Sequence, residues 1–159
     1  MAKAAAPSRR RRTVAGCGCG GRGCWEQYAS GTALVQGVRR TADAAGWTGR
    51  DVQAAADRGD PVALAGFAGL GEALGEGLAD LVLLTNPEVV TLGGGVARSA
   101  GHFLGRARQV LAARLGPNRA FLVPELRLSV LGPVAALTGV AHLALARLPG
   151  GGGGIRRPG

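Results

Sequence analysis

Only two stretches of this chain have the composition of β-strands, Glu88 to Leu92 (EVVTL) and Leu126 to Leu131 (LRLSVL), and that scarcity limits the folds open to it. Each is followed by a glycine turn and then by helix-forming sequence. Gly93-Gly94-Gly95 precedes a helix predicted from about Ser99 to Leu115, and Gly132-Pro133 precedes one from Val134 to about Arg147. Strand, turn and helix in that order make βα units, whose strands pair in parallel. Parallel sheets are covered on both faces and are normally wider than two strands. The expectation is therefore an α/β fold, helix-rich with a small partial sheet, that looks like half of something. A length of 159 residues supports one core and not two.

The rest of the middle is helical. Glu26 to Tyr28 can open a short turn, and Ser30 caps a helix predicted to run through Leu34 and Val38 to about Ala45, where Gly46 ends it. A short helix follows Thr48, from Arg50 to about Asp57. Asp60-Pro61 is an N-cap followed by proline at the first helical position, and the pattern continues to Asn86-Pro87, making this the longest helix. Phe67, Leu70, Leu74, Leu78 and Leu81 recur on one face, while Glu72, Glu76 and Asp80 share another that reads as solvated. Gly71, Gly75 and Ala79 form a row almost without side chains, which predicts close packing, internal or between subunits.

The net charge of +9 suggests nucleic acid until its placement is considered. Lys3, Arg9 to Arg12, Arg156 and Arg157 lie in the end stretches, leaving residues 13–155 at +2. Two basic tails on a near-neutral body do not make a folded phosphate-binding face, so a nucleic-acid partner is not favoured. Residues 1–15 and 149–159 read as a disordered basic arm and a disordered Gly/Arg tail. No apolar segment follows the basic stretch as in a secretory signal. The charge-free run from Leu128 to Ala146 is cut by Gly132-Pro133 and reads as a short strand and a buried helix, not a membrane span. A cytoplasmic protein is expected.

Three cysteines fall within eight residues, Cys17, Cys19 and Cys24, interleaved with glycines. Thiolates so placed can wrap a small ion, and zinc is the natural choice, though a closed site takes four ligands and three are visible. His102 and His142 lie far away in predicted helices and read as ordinary helix histidines. The same segment matches GxGxxG, but no strand precedes it, so the dinucleotide reading fails. A P-loop and a protein kinase are excluded because Lys3 is the single lysine. Glu26, two residues after Cys24, is either a first-turn glutamate favoured by a helix dipole or a carboxylate aimed at a substrate. Gly93, Gly94 and Gly95 sit at the carboxyl end of a strand, where α/β folds bind ligands; a structural turn is the equal alternative.

Three segments together resemble one family. CGCGGRGCWEQYASG (Cys17 to Gly31) resembles the zinc motif of the ROK sugar kinases, whose bacterial glucokinases carry CxCGxxGCxE followed by an aromatic and a serine. NPEVVTLGGGV (Asn86 to Val96) is similar to their adenosine-side segment, and LGPVAALTGVAHLA (Leu131 to Ala144) to their C-terminal helix. The resemblance covers residues 16–148 and implies the carboxy-terminal lobe of an actin-like ATPase, a ribonuclease H-like fold. It implies a zinc loop at 17–24, Glu26 contacting a sugar hydroxyl, Gly93 to Gly95 lining ATP with its Mg2+, and phosphorylation of a hexose such as glucose at the 6-hydroxyl. The family's catalytic aspartate and first phosphate loop belong to an amino-terminal half without counterpart here. The family's zinc histidine falls near Pro7, so the fourth ligand is expected to be missing. A truncated glucokinase-like lobe, inactive alone, is the resulting expectation, with a complementing amino-terminal half or a homodimer as partner. The alternative is a small zinc-bearing module that binds nucleic acid or protein through its arginine-rich tails.

Overall fold

The computed structural model describes residues 15–41 and 44–147. Its helices are α1 (Gly31–Arg39), α2 (Gly49–Asp57), α3 (Pro61–Thr85), α4 (Ala100–Leu115) and α5 (Ala135–Ala146). Two strands, β1 (Val89–Leu92) and β2 (Glu125–Leu128), complete it, with short 3₁₀ turns between. The basic arm, apart from Ala15, and the Gly/Arg tail expected to be disordered lie outside the described residues.

Helix α3 organises the rest. The Asp60 carboxylate accepts from the Val62 and Ala63 amides at 2.9 and 2.8 Å, satisfying two of the donors a helix start leaves open, and Pro61 needs none. Asn86 closes the far end in the left-handed conformation before Pro87. The small-residue row faces α4. A Cβ on Gly71 or Gly75 would stand 2.5 Å from the carbonyl oxygen of Phe103 or Ala107, so the two backbones meet where side chains are missing. The packing is thus internal. Phe67, Leu70, Leu74 and Leu78 are buried as the periodicity predicts, but Leu81 is exposed and Val82 takes its place.

The acidic face is open to solvent as expected, and two of its acids also reach α4. Glu72 and Asp80 do not face water alone: they stand 3.8 and 3.6 Å from Arg106 and Arg114 of α4, half-exposed pairs flanking the glycine seam. Such pairs contribute at most about 1 kcal/mol each, so they align α4 more than they hold it. On the other side α1 and α2 pack against α3, burying Leu34, Val38, Val52, Ala55 and Ala56. Helix α1 stops at Arg39, well before Ala45. The Thr41 amide and hydroxyl both bond the Val38 carbonyl, so the i→i−4 ladder ends there.

The strands pair in parallel, Val89 with Glu125 through Leu92 with Leu128, and α4 is part of the crossover between them. The second strand is shorter than LRLSVL suggested, because Ser129 and Gly132 already bend into a turn. Leu126 is the one buried strand residue, packed with α4 and α3 in the core.

Helix α5 overturns an expectation. It was read as buried and instead has no buried residue, with Leu137, Val140, Leu143 and Leu145 all more than 60 % exposed. Apolar sequence alone reports that a face wants cover, not that this chain supplies it. Among the described residues no helix is long and apolar enough to cross a membrane.

Candidate functional site

Two places on this frame gather chemistry: the cysteine loop and a cavity at the carboxyl end of β1. The loop is a small hairpin in which the Ala15 carbonyl accepts from the Gly23 amide at 2.8 Å and the Cys17 amide donates to the Gly21 carbonyl at 2.9 Å. The Ala15 amide donates to the Tyr28 hydroxyl at 2.8 Å, fixing the hairpin base. This is not the strand-turn-helix a GxGxxG site requires. Within the hairpin the sulfurs of Cys17, Cys19 and Cys24 lie within 4.8 Å of one another, and the Cys19 and Cys24 sulfurs are 3.5 Å apart.

The three thiols perturb each other. A backbone hydrogen bond at Gly21, followed by those with the Cys24 and Cys17 thiols, holds Cys19 below the ordinary thiol range. The Cys24 thiol is pushed up to about 11, first by its hydrogen bond with Cys19 and then by that with Cys17. The opposite directions follow from the shared hydrogen bonds among the sulfurs, which favour the thiolate on Cys19 and the thiol on Cys24. Around a tetrahedral zinc with bonds of about 2.3 Å, sulfurs stand about 3.8 Å apart, so these three donors fit such an ion. Among the described residues no histidine or carboxylate joins them. His102 instead bonds Asp57 at 2.7 Å and rests on the Phe67 ring, and His142 is exposed on α5.

What ties the loop to the core was not legible in the sequence. The 3₁₀ turn Trp25–Gln27 follows Cys24 directly, and the Trp25 indole N–H donates to the Ala73 carbonyl of α3 at 2.8 Å. Its ring occupies the space over Gly77, where a Cβ would fall inside the indole. Glu26 sits between Trp25 and Gln27 with its side chain exposed. The structure therefore puts Glu26 on the surface beside the thiols and not among the cavity residues.

The cavity encloses about 960 Å³. Gly93, Gly94 and Gly95 line one wall, and Gly94 has φ 86°, a conformation that suits glycine. The starts of two helices also line it. Ser30 accepts from the Ala33 amide at 3.1 Å to open α1, and Thr48 with Asp51 forms a reciprocal capping box on α2. Both helices present their positive ends, Gly31 and Gly49, to the cavity. Arg39, Arg50 and Arg98 line it, and among the described residues no carboxylate does. Arg39 also donates to the Trp47 carbonyl at 2.7 Å, holding the segment before α2 against α1. Leu34, Val35, Phe67 and Val96 supply apolar surface. An anion with a flat apolar portion suits these walls. The α1 and α2 contributions were missed from sequence. Ser30 and Thr48 were recognisable as caps, but only the fold brings them to the Gly93–Gly95 turn.

Comparison with known proteins gives the same direction. The ROK family model matches residues 7–147. The glucokinase of Streptomyces coelicolor is 35 % identical over 144 residues, covering 80 % of this chain and 45 % of that protein. A ROK family glucokinase from Streptomyces griseus, solved in complex with glucose and AMPPNP, superposes with a TM-score of 0.75 at 34 % identity. That match covers 82 % of this chain and 47 % of the other. A ROK hexokinase from Thermus thermophilus gives a TM-score of 0.62 at 32 % identity, over 82 % of this chain and 43 % of that one. The fold is thus that of the ROK sugar kinases, the actin-like ATPase fold expected from the cysteine motif, and the chain spans about half the length of the relatives it matches. With most of its length aligned to the family and its architecture shared, the chain belongs to the ROK family.

Proposed function

We propose that this chain is the nucleotide- and sugar-contacting lobe of an ATP-dependent hexose kinase of glucokinase type. The observation that carries the reading is the carboxylate-free cavity, where a glycine turn, two helix N-termini and three arginines converge. In this reading the Gly93–Gly95 turn lies along the adenosine, and the helix ends with Arg39, Arg50 and Arg98 favour the phosphates that carry Mg2+. Glu26 accepts a hydrogen bond from a hexose hydroxyl. Cys17, Cys19 and Cys24 hold zinc, which when bound would cross-link the hairpin. The indole bond from Trp25 to Ala73 passes that rigidity to α3 and fixes the direction of Glu26.

Phosphoryl transfer asks the protein mainly to position its groups and to offset charge, with a carboxylate near the attacking hydroxyl. The resemblance assigns that carboxylate to an amino-terminal half, so transfer to the 6-hydroxyl is proposed to need such a half beside this lobe. The uncovered apolar side of α5 is assigned to the contact with it. The alternative, a binding module acting through its arginine tails, concerns residues outside those described, and the likeness to sugar kinases does not favour it.

Calorimetric titration of the chain with AMPPNP and Mg2+ tests the reading. Saturable binding is expected, weakened at least about tenfold in Gly95→Leu. A Cβ at Gly95 meets no atom within 4 Å and Gly95 lines the cavity, so the added side chain is expected to compete with the ligand, and circular dichroism checks that the variant is folded. Absence of binding, or equal affinity in a folded Gly95→Leu, would refute it.

A further inference from the structure

The cysteine hairpin presents three sulfurs and, in the described residues, no fourth nitrogen or acid ligand, yet one more polar side chain reaches it. Gln27 is half-buried, its amide N–H donates to the Cys24 carbonyl at 2.9 Å, and its side-chain Nε2 lies 3.6 Å from Cys17 Sγ. The two ends of a carboxamide occupy nearly the same volume, so a half-turn about its last bond places Oε1 where Nε2 stands. That distance has a meaning for a metal. With zinc bonds of about 2.3 Å to sulfur and about 2.1 Å to oxygen, two ligands of a tetrahedron stand about 3.6 Å apart. The Gln27 terminus therefore sits one tetrahedral edge from Cys17, while the Cys19 and Cys24 sulfurs, 3.5 Å apart, form another edge.

We infer that Gln27 completes the metal site, its carboxamide oxygen taking the fourth position beside the thiolates of Cys17, Cys19 and Cys24. The inference rests on the zinc reading of the three cysteines and adds a ligand to it. Both histidines are engaged or placed elsewhere, and among the described residues Gln27 is a polar side chain seen to contact one of the three sulfurs. The position held by Gln27 is in turn set by the Trp25–Gln27 turn, anchored through the indole on Ala73. A loop fastened at Trp25 delivers the next side chain but one to the metal with little freedom left to lose.

The same 3.6 Å separation would serve a hydrogen bond from Nε2 to the Cys17 thiolate, and the test separates the two roles. The purified chain is titrated with zinc against a chromophoric chelator and with cobalt(II), whose visible bands report four-coordination by sulfur and oxygen. One equivalent is expected to bind. Gln27→Ala should weaken zinc at least about tenfold, and Gln27→Glu, whose oxygens can ligate but not donate, should retain the affinity and the tetrahedral cobalt bands. Gln27→His should match or exceed the parent and shift those bands toward nitrogen ligation. Loss of binding in Gln27→Glu equal to that in Gln27→Ala would make Gln27 a hydrogen-bond donor and overturn the inference. Zinc affinity in Gln27→Ala within about twofold of the parent would also overturn it, giving the fourth position to water. If the parent binds no metal, the zinc reading itself fails and the inference with it. Far-ultraviolet circular dichroism of each variant confirms that the helices are formed, since the exposed hairpin contributes little to that signal.

Discussion

The glycine seam between α3 and α4 makes opposite demands on the same substitution at two positions of one helix. Gly75→Ala puts a methyl group 2.5 Å from the Ala107 carbonyl oxygen, 2.7 Å from Val110 Cβ and 3.1 Å from the Leu111 amide nitrogen. Two of these are backbone atoms and cannot turn aside. To restore ordinary contact, α4 must move out by about 0.9 Å, and a gap of that order forfeits a quarter to a half of each dispersion contact along the seam. Leu74, Leu78, Phe103 and Leu111 are buried in that region and lose contacts with the shift. Overpacking of this kind costs about 3 kcal/mol at the upper end of its usual range, and replacing glycine by alanine in a helix returns about 1 kcal/mol, so a net loss of about 2 kcal/mol is expected. Gly69→Ala, on the same helix, meets nothing within 4 Å and should stabilise by about 0.5–1 kcal/mol. Equilibrium urea unfolding, followed by far-ultraviolet circular dichroism at fixed zinc concentration, measures both. If Gly75→Ala proves as stable as Gly69→Ala, the seam does not hold α4 where it is described.

The other expectations concern the loop, the acid limb and the missing cover. Gly77→Ala should evict the Trp25 indole from α3, red-shifting its fluorescence and weakening metal uptake; unchanged emission would refute the anchor. Thr48, through its hydroxyl and its amide, holds the Asp51 carboxyl below its ordinary value of 3.8. The folded form is therefore the weaker acid-binder: its extra stability is complete above that value and is lost as pH falls through the lower folded one. The difference in urea midpoint between the parent and Asp51→Asn should accordingly be present at neutral pH and shrink as pH falls below 3.8; a constant difference would contradict the capping account. Co-expression with the amino-terminal half of a ROK glucokinase should give a one-to-one complex and ATP-dependent glucose phosphorylation absent from either part. Replacing Leu137 and Val140 of α5 by glutamine should abolish that complex, and a complex indifferent to these changes would refute the assignment of α5.

Local signals in the sequence carried much of the fold. Asp60-Pro61 and Asn86-Pro87 bound α3 because caps and proline act within one turn, and EVVTL before three glycines marked β1 for the same reason. The cysteine cluster was legible because three thiols close in sequence, separated by glycines, can fold back on one another, and their sulfurs do lie within 4.8 Å of one another. What escaped was every feature that depends on a second element. The acids Glu72 and Asp80 are open to solvent as read, but only the fold shows that Arg106 and Arg114 of α4 reach them across the glycine row. Gly77 gave no hint of the indole from a turn about fifty residues earlier. Helix α5 was read as buried because its sequence is apolar on all sides, and sequence does not say whose surface covers it. Glu26 and the Gly93–Gly95 turn stood out from local motifs, and the fold puts the turn at the cavity and Glu26 outside it, but the arginines and helix ends that give the cavity its charge were not foreseen.

The central claim is that the space at the carboxyl end of β1 receives a nucleotide. Photolabelling the chain with an azido-adenine analogue of ATP, followed by peptide mapping, addresses it without requiring turnover. Label is expected on peptides from Ser30 to Arg39, Thr48 to Gln53 or Gly93 to Ser99, and excess ATP should suppress it. Label confined to the arginine-rich ends, or insensitive to competing ATP, would contradict the account.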